Sequence, residues 1–260
     1  MRFVQFLVSV LFTSLLLWGC SKDETTTGNP TVGTVKVHLT DGPGDFEKVN
    51  ITFSEITANL KTGEENWIVI NNQSQTLDLL TLTNGITSVL GEKQLDPGQY
   101  GQIRLKITKA EVVVKGTTYT LDVPSGATSG LKLGSGFTIL PGITTELVVD
   151  FDAARSIHAM GNKQNYKLNP VLRLIVKAES GAVSGKVVNY QNSPLAYAIA
   201  GTDTVASALV KKDSGGFLLG FLPAGSYTVA VADTLNKKFS RADVMVTVGN
   251  TTNLGDITLQ

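Results

Sequence analysis

From Thr34 onward the chain alternates between apolar and polar positions. In "TVKVHLT", Val35, Val37 and Leu39 fall on one face, with Lys36, His38 and Thr40 on the other. Val49, Ile51 and Phe53 align in "VNITF", and Ile103, Leu105 and Ile107 align opposite Arg104 and Lys106 in "IRLKIT". "TELVVDFD" turns Leu147, Val149 and Phe151 inward, and "VLRLIVK" closes the series near Lys177. Period two over several residues marks a half-buried strand. "EVVVKGTTYTLDV" predicts a hairpin with Lys115-Gly116-Thr117 at its turn. The one segment with room for a short helix is "TLDLLTLTNGITSVLG", Thr76 to Gly91, and its threonines argue against a long one.

Glu179-Ser180-Gly181 reads as a boundary. Beyond it come seven short apolar runs, from "GAVSGKVVNY" to "DITLQ", separated by turn residues at the spacing of a small sandwich. The fold class predicted is all-β: two β-sandwich-like domains, at 34–178 and 181–260.

The first 33 residues follow a different pattern. Met1-Arg2 is followed by the apolar run Phe3 to Trp18, which is interrupted by Gln5, Ser9, Thr13 and Ser14. A short basic start before such a run predicts a secretory signal peptide over 1–19. A membrane-spanning helix needs about 20 predominantly apolar residues, more than this run holds. Cys20 is the only cysteine, so no intrachain disulfide is available. Leu17-Trp18-Gly19-Cys20 resembles the lipobox of bacterial lipoproteins. That resemblance implies acylation of Cys20, a membrane partner held through the lipid, and an outer-membrane address with exposure at the cell surface as one outcome. Ser21-Lys22-Asp23-Glu24 resembles the acidic export signal of some surface lipoproteins and reads equally as the start of a charged tether. "TTTGNPTVGT" continues as a polar linker, so 20–33 is taken as lipidated cysteine plus tether.

Composition narrows the function classes. Lys+Arg and Asp+Glu are both 22, for a formal net charge of zero, and a balanced chain lacks the basic face that a nucleic-acid binder needs. A Ser or Cys nucleophile needs a base, usually His, and the chain has only His38 and His158. No G-x-S-x-G elbow is present, and the glycines of "GSG" and "SGG" lack the Lys-Ser/Thr tail of a phosphate loop. His38 on the polar face of its strand, and His158 in "DFDAARSIHAMGN", are expected to be exposed and structural.

Two acidic sets are the candidate chemistry. Asp150 and Asp152, two apart on a strand, are expected to share its polar face, beside Arg155. Asp41 and Asp45 bracket Gly42-Pro43-Gly44 in "TDGPGDFE", an oxygen-rich turn that lacks the EF-hand order. Asp41, Asp45, Asp150 and Asp152 together form a candidate Ca²⁺ site, weighed against capping turns and a solvated strand end. No other cofactor is expected.

Two further resemblances cover most of the chain. "VKVHLTDGPGDFEKVNITFSEI", "LDLLTLTNG", "LDPGQYGQIRL", "VPSGATSGLKL" and "TELVVDFDAARSIH" resemble, in order, the bacterial domain-of-unknown-function family 4382. The resemblance implies an exported, mostly β domain without an established activity. "GKVVN", "KKDSGGFLLGFLPAGSYTVAV" and "VTVGNTTNLGDITL" resemble carboxypeptidase regulatory-like, or prealbumin-like, β-sandwich modules, which are spacers or binding units rather than proteases. The expectation is a lipid-anchored, non-enzymatic binding or scaffold module whose partner is a glycan or an envelope protein. Two alternatives are a structural subunit of a fimbria-like assembly and a hydrolase using Asp150 and Asp152.

Overall fold

The computed structural model describes residues 31–62, 65–134, 136–161 and 165–260. The apolar run, Cys20 and Ser21 to Glu24 lie outside these residues, so the signal peptide, lipidation and export readings do too. No helix among the described residues is long and apolar enough to cross a membrane.

In chain order the first strands are β1 (Gly33–Asp41), β2 (Lys48–Lys61), β3 (Glu65–Asn71), β4 (Gln75–Asp78), β5 (Ser88–Leu95), β6 (Gly98–Val114), β7 (Thr117–Asp122), β8 (Leu131–Leu133), β9 (Phe137–Ile139), β10 (Thr144–Phe151), β11 (Ile157–Met160), β12 (Asn165–Leu168) and β13 (Leu172–Val176). Two short helices, α1 (Ser125–Ser129) and α2 (Ala153–Ser156), interrupt them. One sheet runs β13-β10-β1-β5, with β1 and β10 parallel. The other runs β11-β12-β7-β6-β2-β3, with β4 along β2 and with β8 and β9 along β6.

The alternation in the sequence becomes the space between these sheets. Val35, Val37 and Leu39 of β1, and Leu147, Val149 and Phe151 of β10, are fully buried in one cluster with Ile51, Phe53, Ile103, Leu105 and Ile107 from the other sheet. At about 25 cal/mol per Å² of apolar surface removed from water, such a cluster is the main source of stability in a chain with no disulfide. The expected hairpin is present: β6 and β7 pair around Lys115 and Gly116, both at positive φ as a two-residue hairpin turn requires. The segment Thr76 to Gly91 forms the end of β4, a single 3₁₀ turn at Leu79–Thr81 and the start of β5. Asp78 caps that turn, accepting from the N–H of Leu80 and Val49.

The remaining strands are β14 (Ser180–Val187), β15 (Leu195–Ala200), β16 (Asp203–Leu209), β17 (Gly216–Pro223), β18 (Gly225–Ala232), β19 (Lys238–Val246) and β20 (Thr251–Ile257). They form the sheets β17-β14-β20 and β16-β15-β18-β19 around a second cluster that includes Val183, Leu219, Val229, Val231 and Val244. The same corner appears in each unit. Tyr100 Oη donates to the Asp96 carbonyl at 3.0 Å, and Tyr227 Oη donates to the Pro223 carbonyl at 2.8 Å, each after a Pro- and Gly-containing turn.

The outer face of the β13-β10-β1-β5 sheet is covered too. His38, Thr40, Val148 and Ile175 point there and are all buried. The second unit meets this face through Asn84, whose Nδ2 donates to the Leu209 carbonyl and whose Oδ1 accepts the Leu218 N–H. Asn84 has φ 57°, a conformation Asn tolerates better than most residues. Gly85 follows it at φ 80°, in the left-handed region that favours glycine, and packs against the Leu218 side chain.

Candidate functional site

The acidic residues singled out in the sequence divide three ways. Asp45 is exposed in the turn after β1. Asp41 ends β1 and is only 4% exposed. Its Oδ1 accepts the Ala153 N–H at 2.9 Å, while Oδ2 is buried without a hydrogen-bond partner. Burial holds the Asp41 carboxyl well above the usual carboxylate range, and the nearby Asp150 and Asp152 push it the same way.

Asp150 and Asp152 do not share a strand face as expected. The strand ends at Phe151, and Asp152 has left the extended conformation to cap α2, with Oδ1 accepting the Arg155 N–H at 2.9 Å. A helix start satisfies its backbone N–H groups with such a side chain, and that requirement outweighs continuation of the strand. Burial raises the Asp152 pKa, opposed by the Arg155 N–H and charge. Asp150 stays on β10 and pairs with Arg173 of β13, Nε to Oδ2 at 2.5 Å. Together Asp150, Asp152, Arg155, Arg173 and Asp203 line an open groove of about 640 Å³ between the units. Arg155 bridges it to the Thr204 carbonyl.

The structure thus brings Asp41, Asp150 and Asp152 to one end of the first unit and leaves Asp45 apart. Among the described residues, no group of three or more His, Cys, Asp or Glu side chains is arranged to hold a metal ion. Glu47, from the same turn as Asp45, instead receives the Gly116 N–H of the hairpin.

The burial of Asp41 has a pH consequence. A carboxyl whose pKa is raised on folding binds its proton more tightly in the folded state. Its stabilising contribution is therefore lost as pH climbs from the ordinary value of 3.8 through the raised one. Asp41→Asn keeps an acceptor for Ala153 and has no charge to bury. Urea unfolding from pH 4 to 8 should show the variant gaining on the parent as pH rises. A constant difference across that range would show that Asp41 is not the titrating group.

The histidines correct one expectation. His158 is exposed, on β11. His38 is buried, 9% exposed, because the polar face of β1 is covered rather than open to solvent. Its Nε2 sits 2.9 Å from Glu146 Oε2 but off the line of a hydrogen bond, and Glu146 also holds Lys177. Burial pushes the imidazole below its usual pKa, against the pull of Glu146.

An open concavity of about 990 Å³ was not visible in the sequence. It runs beside β6 and β9 in the first unit. Tyr100 and Phe137 border it, their rings stacked 5.2 Å apart and buried in the core. Asn59 from β2, Gln99 and Gln102 from β6, Thr138 and Thr145 line it together with Gly101, Gly134 and Gly136. Charged residues, among them Lys61, Glu146 and Glu179, also line it. Such a surface offers amide groups that both donate and accept hydrogen bonds. Its residues come from separate strands and belong to no local motif.

Comparison with known proteins places the first unit. No curated protein matches the chain. Among solved structures, the Bacillus anthracis TIE protein is 12% identical, with 88% of this chain and 34% of that one covered and a TM-score of 0.23. This chain thus spans about a third of that protein's length. GBS52, a minor pilin of Streptococcus agalactiae, is 9% identical over 86% of this chain and 94% of that one, with a TM-score of 0.21. A fimbrial protein from Bacteroides ovatus is 10% identical over 88% and 50%, with a TM-score of 0.23. At such scores the likeness carries nothing about function. Residues 32–170 match the family model described as Domain of unknown function (DUF4382). With more than half of its length matched, the chain belongs to the DUF4382 family.

Proposed function

We propose that this is a lipid-anchored, non-enzymatic binding module of the bacterial envelope, and that the groove beside β6 and β9 takes an uncharged, hydroxyl-rich ligand such as a neutral glycan. The observation that carries the reading is the lining of that groove by Asn59, Gln99 and Gln102. An amide side chain both donates and accepts, which matches a sugar hydroxyl that does the same. Cys20 supplies the anchor. The second unit, with its resemblance to accessory sandwich modules, supports and spaces the first. The two carboxylates of the hydrolase alternative are committed, Asp150 to Arg173 and Asp152 to capping α2, which favours binding over catalysis.

The test is a neutral-glycan array followed by calorimetric titration of the best binder. Gln102→Ala should weaken that binder by about tenfold, the loss of one or two hydrogen bonds. Unchanged affinity in Gln102→Ala and Asn59→Ala, or no neutral glycan bound by the parent, would sink the reading.

A further inference from the structure

The point where the chain enters its first strand carries an apolar knuckle. Leu140, Pro141, Gly142 and Ile143 form a tight turn between β9 and β10, with Gly142 at φ 70° and the Ile143 N–H donating to the Leu140 carbonyl at 3.2 Å. The turn is fastened to the entering chain. The Gly142 N–H donates to the Val32 carbonyl at 2.8 Å, and the Thr34 N–H donates to the Ile143 carbonyl at 2.9 Å. Between them Gly33 is pressed so close that a Cβ there would lie 2.2 Å from the Leu140 carbonyl oxygen. Two large aliphatic side chains flank this clamp in water: Leu140 and Ile143 are each 53% exposed. Neither is needed outside for the turn itself, which Pro141 and Gly142 specify.

We infer that this knuckle rests on the lipid surface to which Cys20 anchors the chain. The inference builds on the anchor proposed above. Its independent ground is the place where the tether ends. About 12 residues separate the acylation site from Val32, so even full extension allows only about 40 Å. The knuckle is hydrogen-bonded to Val32, so it lies beside the point where the tether meets the folded chain. Tethering raises the effective concentration of this patch at the membrane, so two aliphatic side chains suffice where a free protein would need a larger apolar face. Leu140 and Ile143 also line one end of the groove, so the contact places the mouth of the groove near the bilayer. The protein then lies against the membrane instead of standing off it.

Acylation blocks Cys20, so a single new cysteine gives a unique label in the full lipidated chain. Leu140→Cys and, separately, Ile143→Cys would carry an environment-sensitive dye. Leu235→Cys serves as the comparison, being 66% exposed in the turn between β18 and β19. The chain is reconstituted in phosphatidylethanolamine–phosphatidylglycerol vesicles containing a spin-labelled lipid. Labels at 140 and 143 should be quenched about threefold or more beyond the label at 235, as expected for side chains lodged at the headgroup level. Equal quenching at all three positions in an acylated chain overturns the contact alone. Mass spectrometry showing an unmodified Cys20 overturns the anchor, and the contact with it.

Discussion

Phe151→Ala should lower the unfolding free energy by about 3–5 kcal/mol, the range for removing a large aromatic ring from a packed core. Phe151 is fully buried at the end of β10, where it stands in register with Asp41 of β1 on one side and Leu172 of β13 on the other. Its carbonyl also accepts the Gly42 N–H, so the backbone stays pinned when the ring goes and the surroundings cannot easily close the hole. The cavity cost therefore adds to the lost burial. A urea melt reads the effect as a drop in midpoint. A shift of under about 1 kcal/mol would mean that the two sheets do not share the core described here, since surface changes fall in that range.

Arg173→Met should be the next most damaging, by roughly 2–4 kcal/mol at neutral pH, because it leaves one charge of a largely buried pair without its partner. The side chains of Arg173 and Asp150 are 27% and 15% exposed, and Arg173 also reaches the Phe221 carbonyl of the second unit at 3.4 Å. The loss is thus felt at the seam as well as within the sheet. The double change Asp150→Asn with Arg173→Met should recover part of it, since two neutral groups no longer demand a counter-charge. A double variant as unstable as Arg173→Met would assign the loss to packing of the arginine stem instead.

Strand pattern was legible because it is local. A side chain's face in a strand depends only on its parity, so Val35, Val37 and Leu39, or Leu147, Val149 and Phe151, announce a buried face without knowledge of what covers it. Turn chemistry is local in the same way, as Lys115-Gly116 shows. The polar faces were less legible, because parity cannot say whether the opposite face meets water or protein. His38 alternates like an exposed residue and is buried, since its face of the sheet is covered. Arg173 is a charge inside "VLRLIVK", and its partner Asp150 lies 23 positions earlier in the chain.

The sequence by itself determined the all-β class, the alternation that fills both cores, the balance of charge and the presence of a single thiol at Cys20. Tertiary structure alone decided the rest. Parallel pairing of β1 with β10 brings Asp41 beside the Asp150 end, and capping of α2 turns Asp152 away from the strand. Packing of β2, β6 and β9 gathers Asn59, Gln99 and Gln102 around one groove. The physical reason is that each of these outcomes depends on contacts between residues far apart in the chain, whereas alternation, turn chemistry and charge count are set by neighbours or by sums.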